Sequence, residues 1–157
     1  MSPEAPTSED VRWLRRCLEL AQAAAVADEV PVGAIVVVDG AVVGEGRNRV
    51  EELRSPLAHA EMLALQQALV HAGNKRLANA TLYCSLEPCF LCAGAILHAR
   101  VDRVVFGASD PKFGAVRSLA NVLEDPRLNH RCTVVAGVEA TASADLLRAF
   151  FRQKRGG

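Results

Sequence analysis

Leu86-Glu87-Pro88-Cys89-Phe90-Leu91-Cys92-Ala93-Gly94-Ala95, taken with the earlier Ala58-His59-Ala60-Glu61, reads as one site built from two helix starts. Cys89 and Cys92 are three apart and fall on one face of a helical turn, so both sulfurs can point at a single ion. Pro88 just before them suits a first helical position, where its missing N–H costs nothing. Zinc bound by two sulfurs needs at least one more ligand, and His59 is the natural candidate. Three protein ligands leave a fourth position open, the arrangement of a catalytic rather than a structural site. Glu61 faces another side of the helix from His59 and is poorly placed as a ligand. It can instead reach the water that such an ion activates and move protons. That work needs a carboxyl group titrating near neutral pH, so a shielded pocket is expected.

Blander readings fit parts of this pattern but not the whole. A redox pair would not need Pro88 before its first cysteine or a His-x-Glu upstream. A four-ligand structural zinc site would need another closely spaced Cys or His pair, and none exists; His71, His98 and His130 are isolated. Cys17, Cys84 and Cys132 lie in apolar runs and read as small buried core residues. Cys84 is the one competitor as a ligand, but it stands in an apparent strand without the spacing.

The 157 residues fit a single domain over 1–157 that can bury a sizeable core, with residues 1–6 a disordered leader and 153–157 a frayed basic tail. Half of the chain is hydrophobic, and 18 basic residues balance 18 acidic ones, so no overall basic field announces a nucleic-acid partner. The balance is uneven: Arg148, Arg152, Lys154 and Arg155 cluster at the end, where they could meet phosphates or complement a helix dipole. Such a chain needs no disulfide framework, which fits a reducing compartment. The N-terminus carries no secretion pattern, and no apolar stretch is long enough to span a membrane. A cytoplasmic protein is expected.

Along the chain, Thr7 or Ser8 can cap a first helix whose apolar positions Val11, Leu14, Leu18, Ala21 and Ala25 keep helical spacing. Pro31 to Val38 is a β-branched run, and Asp39-Gly40 before Ala41 to Gly44 signals a hairpin. The second strand runs into Glu45-Gly46-Arg47-Asn48-Arg49, and the loop from there to Pro56 is polar. Asn48, where that strand ends near the start of the His59 helix, could read a base edge or simply satisfy a turn. The His59 helix should stop at Gly73-Asn74. Strands are expected at Thr81–Leu86, Val101–Gly107 and Cys132–Val138, with a loop over 108–115 and a last helix capped by Ser143. Helix and strand alternate as in an α/β layered domain.

His-x-Glu followed by Pro-Cys-x-x-Cys is the established signature of the zinc nucleobase deaminases. With Pro31-Val32-Gly33-Ala34, Val105-Phe106-Gly107-Ala108 and Asn129-His130 added, nearly the whole chain resembles the bacterial tRNA-specific adenosine deaminases. The zinc motif alone marks only the wider cytidine-deaminase-like superfamily; the flanking segments select the branch. The resemblance implies a three-layer α/β/α sandwich with a mixed five-stranded sheet. It also implies one Zn2+ per chain, a homodimer, and conversion of adenosine to inosine at the wobble position of a tRNA anticodon. By the same resemblance Glu61 is catalytic and His59, Cys89 and Cys92 hold the metal. Asn48, the Ala60 backbone and Pro88 lie at the base, Asp110 and Lys112 meet the anticodon loop, and Phe151, Arg152 and Arg155 contact RNA backbone. Phe113 and Val116 are bulkier than the family pattern, and Arg117 stands where the family usually has Gly. Phe113 could stack on a base, and Arg117 could meet a phosphate or merely alter a turn.

Two other readings share these residues. One is a zinc deaminase of a free base or nucleotide, such as guanine or deoxycytidylate, which needs no basic RNA-facing surface. The other is a non-catalytic zinc RNA-binding subunit, for which Glu61 would have no purpose.

Overall fold

The computed structural model describes residues 4–156. Helix α1 (Ser8–Val26) begins on a reciprocal cap: the Thr7 hydroxyl accepts from Asp10 N–H, and the Asp10 carboxylate accepts from Thr7 N–H. Strands β1 (Gly33–Val38) and β2 (Ala41–Arg47) form the expected hairpin, with Asp39 at φ 50° and Gly40 at φ 75°. There follow α2 (Val50–Leu53), α3 (Ala60–Ala72), β3 (Ala80–Leu86), α4 (Phe90–His98), β4 (Arg103–Ala108), β5 (Thr133–Val135) and α5 (Ala140–Gly156). The strands make one mixed sheet in the order β2-β1-β3-β4-β5. Its β1 pairings are antiparallel, and β3-β4 and β4-β5 are parallel.

Alternation along the inner strands feeds two cores, because successive side chains leave opposite faces. Val36, Leu82, Val104 and Phe106 join Ala64, Leu65 and Ile96 of α3 and α4 on one face. Ile35, Tyr83, Val105 and Val135 join Trp13, Leu14 and Cys17 of α1 on the other, where α5 also packs. This is the expected three-layer α/β/α sandwich with a mixed five-stranded sheet. Cys17, Cys84 and Cys132 are buried free thiols, as their apolar settings predict, and burial holds all three above the usual thiol range.

Helix α3 lies almost on the backbone of β2: a Cβ built on Gly46 would come within 2.7 Å of the Ala60 carbonyl oxygen. That approach sets the start of α3 beside the end of β2. The carboxyl end of β3 delivers the chain to Cys89, and that of β4 to the loop beginning at Ser109. All these ends gather at one edge of the sheet, the usual crevice of an open α/β layer.

Several expectations need correction. Pro88 is not the first helical residue; it precedes Cys89, the N-cap of α4, and its carbonyl accepts from Ala115 N–H at 2.9 Å. Ser143 does not cap the last helix. It lies inside α5, its N–H donating to Glu139 carbonyl, with its hydroxyl buried and unpartnered among the described residues. The fifth strand is shorter than Cys132–Val138 because Gly137 and Glu139 adopt positive φ and turn the chain into α5. Residues 153–156, expected to fray, continue α5, and Lys154 there pairs with Asp28 at 2.5 Å. Of the leader expected over 1–6, residues 1–3 lie outside the described residues, as does Gly157, and Glu4 pairs with Arg103 at 2.6 Å.

Candidate metal centre

His59 is the N-cap of α3 and Cys89 the N-cap of α4, so the two helix starts face each other across the crevice. Neither side chain makes the usual N-cap hydrogen bond, which leaves both for another task. Cys92 follows one turn along α4 and is buried. His59 Nδ1 lies 3.6 Å from Cys89 Sγ and 3.4 Å from Cys92 Sγ, and the three donor atoms fall within 4.8 Å of one another. Tetrahedral zinc bonded to one imidazole nitrogen and two sulfurs would separate N from S by about 3.6 Å. Both nitrogen–sulfur separations therefore match what such an ion needs. Cys84 stays out of the group, its thiol directed at the Val105 carbonyl.

The electrostatics agree with this fit. Hydrogen bonds from Cys92 and then His59 push the Cys89 thiol down to about 4, while its hydrogen bond with Cys89 and burial hold Cys92 high. Two thiolates this close repel unless a cation lies between them. Glu61 is 4% exposed, and burial pushes its carboxyl up to about 7, as acid–base work in a shielded pocket requires.

A cavity of about 640 Å³ opens in front of these groups, within the ordinary range for small-molecule sites. Its lining includes His59, Glu61, Cys89, Asn48, Asp110 and Phe113 from the expected set. Asn48 Oδ1 accepts from Ala60 N–H at 2.8 Å, so the side chain satisfies an open helix N–H, and the residue also lines the cavity. The Ala60 N–H that the resemblance gives to the base is thereby engaged within the protein. Phe113 is 65% exposed at the rim, and Lys112 is exposed beside it. Phe151, Arg152 and Arg155 are exposed on α5 and do not line the cavity; Phe150 and Lys154 of that helix do. Val116 is buried, and Arg117 donates to the Val116 carbonyl and pairs with Glu124, so its guanidinium serves the turn.

Two buried carboxylates of the cavity wall went unread in the sequence. Glu29 accepts the N–H groups of Glu51 and Glu52 at 3.1 and 2.8 Å and so anchors α2, a short helix that no local signal announces. Glu87 accepts from the loop after β4, at Asp110, Val116, Arg117 and Ser118. Both depend on partners more than 20 residues away, beyond any local pattern.

The MafB19-like deaminase family model matches residues 8–155. The tRNA-specific adenosine deaminase of Streptococcus pyogenes serotype M1 is 42% identical over 147 residues, covering 94% of this chain and 86% of that protein. The chain belongs to the tRNA-specific adenosine deaminase family. A solved structure from studies of A-to-I editing by tRNA:A34 deaminases at the wobble position of transfer RNA matches with a TM-score of 0.83. That match is 40% identical and covers 87% of this chain and 99% of the other. A guanine deaminase from Nitrosomonas europaea has the same fold at a TM-score of 0.79 with 28% identity, covering 95% of this chain and 87% of that one. Membership in the deaminase family thus agrees with both the layered fold and the three-donor group.

Proposed function

We infer that this chain hydrolyses the exocyclic amine of adenosine at the wobble position of a tRNA anticodon, yielding inosine and ammonia, with zinc held by His59, Cys89 and Cys92. The observation that carries this reading is the convergence of those three donors beside a buried carboxyl group, in a chain 42% identical to a tRNA-specific adenosine deaminase. Bound in such a site, zinc makes water a competent nucleophile near neutral pH.

The chain's own residues supply the rest. Glu61 takes the proton from the attacking water, gives it to the purine ring nitrogen next to the reacting carbon, and then serves the departing amine. A carboxyl group that titrates near neutral pH can both accept and release that proton. Asn48, fixed by Ala60 N–H, directs its amide toward the base edge. Val32, Leu86 and Phe150 give the purine apolar walls. A wobble base is single-stranded and can be splayed out of its loop into such a pocket, with Phe113 at the rim for a neighbouring base to stack on. Lys112, Arg152 and Arg155 meet the backbone phosphates outside the cavity.

The protein works as a cytoplasmic homodimer in this reading. Exposed Phe90 and Leu91 beside the ligand turn support the pairing, and light scattering of the purified protein tests it. Among the described residues no helix is long and apolar enough to cross a membrane. The deciding experiment incubates zinc-loaded protein with transcribed tRNAs carrying adenosine at the wobble position, and with free adenosine, guanine and deoxycytidylate. Inosine is expected at the wobble position only; turnover of a free base or nucleotide with intact tRNA would overturn the assignment.

A further inference from the structure

We propose that Glu87 is a positioning residue for the substrate: a buried anion on which the loop at the cavity rim is folded, rather than a participant in proton transfer. This rests on the tRNA reading above. Glu87 is 2% exposed, and its carboxylate takes five hydrogen bonds from one short stretch of chain. Oε1 accepts from Asp110 N–H at 3.0 Å and the Ser118 hydroxyl at 2.5 Å. Oε2 accepts from Val116, Arg117 and Ser118 N–H at 3.1, 2.7 and 2.9 Å. A carboxylate offers about four lone-pair sites, so no capacity remains for a base or a migrating proton.

The loop closes directly over this anion. A Cβ built on Gly114 would lie 2.3 Å from the Glu87 carboxyl carbon, so only glycine lets the chain pass there. The neighbouring backbone adds Ala115 N–H to Pro88 carbonyl at 2.9 Å, and Gly114 pairs with Cys89. Between the anchors the tip is shaped by Asp110, whose Oδ1 accepts from Lys112 and Phe113 N–H at 3.1 and 3.2 Å. The outcome is Phe113 held at the cavity rim, 65% exposed. Because Glu87 directly precedes Pro88-Cys89, the same residue ties the rim loop to the turn that carries two metal ligands. The rim is thus registered against the reacting centre by a group that touches neither substrate nor metal.

Glu87→Gln turns one acceptor into a donor facing N–H donors. Amide hydrogen exchange should then show loss of protection at residues 110 and 116–118, with α4 still protected and one zinc retained per chain. On wobble-adenosine tRNA the loss should fall mainly on KM, rising roughly tenfold or more, with kcat changed much less. Ser118→Ala removes only the hydroxyl donor and leaves every backbone anchor. It should raise KM in the same direction by roughly threefold, which keeps the test open if the Gln variant does not fold. Unchanged KM in both folded variants overturns the proposal, as does loss of zinc and kcat together, which would make Glu87 a support of the metal turn. Wild-type protein that forms no inosine in tRNA sinks the functional reading itself, whereas an active wild type with indifferent variants sinks only this inference.

Discussion

His59 and Cys89 occupy cap positions where a side chain would ordinarily satisfy its own helix, and both forgo that bond. The two helix starts instead contribute partial positive charge where thiolate must be stabilised. Beside them Glu61 is nearly solvent-free, which raises its carboxyl into the range where it can both take and give a proton. Glu61→Ala should therefore keep one zinc per chain and lose turnover by roughly 10²–10⁴-fold, the usual share of a positioned acid–base group. Metal analysis with a single-turnover inosine assay checks it, and a variant of wild-type activity would remove Glu61 from the chemistry. These residues were legible because their meaning lies in short spacings, three for the cysteines and two for His59 and Glu61. Asn48 was legible only as an alternative between turn and base contact. The structure gives its oxygen to the Ala60 N–H, and the residue lines the cavity.

Among the elements, α1 shows how a local signal acquires a distant function. Its Thr7–Asp10 cap is readable from sequence, but Asp10 also accepts two N–H bonds from Arg103 of β4, at 2.8 and 2.7 Å, and the Tyr83 hydroxyl of β3 at 3.0 Å. Burial pushes the Asp10 carboxyl up, but the bonds from Arg103, Thr7 and Tyr83 outweigh it and hold it at about 2. A folded value below the unfolded one stabilises the protein at neutral pH, and that contribution fades as pH falls from about 4 toward about 2. Asp10→Asn should cost about 2 kcal/mol at pH 7 and flatten the acid limb of the stability curve, measured by urea unfolding from pH 7 to pH 2.5. An acid limb unchanged in the variant would show that other groups set it. Elements with their own periodicity or turn residues, such as α1 and the Asp39-Gly40 hairpin, were legible within a few residues. Helix α2 was not, since its N–H groups are satisfied by Glu29 across the chain. The start of α5 was misplaced because Ser143, a good cap by composition, is buried inside the helix.

For the whole molecule, the formal net charge of +0 supplies no broad attractive field, so local placement of unpaired cations matters more than their number. On α5, Arg148 pairs with Asp145 and Lys154 with Asp28, whereas Arg152 and Arg155 are exposed and have no carboxylate partner among the described residues. If the cavity takes a single base, as the proposed function requires, the rest of an anticodon loop lies across the surface around it, where such cations can meet phosphates. A contact of this kind strengthens binding without touching the reacting base. Replacing Arg152 and Arg155 together by Ala should raise KM for tRNA while leaving zinc content and saturated turnover near wild type. It should also flatten the dependence of log KM on log salt by about 1.4, since each single-strand phosphate contact contributes about 0.7. Steady-state assays across a series of salt concentrations measure that slope directly. A slope equal to wild type would place the end of α5 away from the RNA, and the phosphates would then fall to Lys112 and the rim loop.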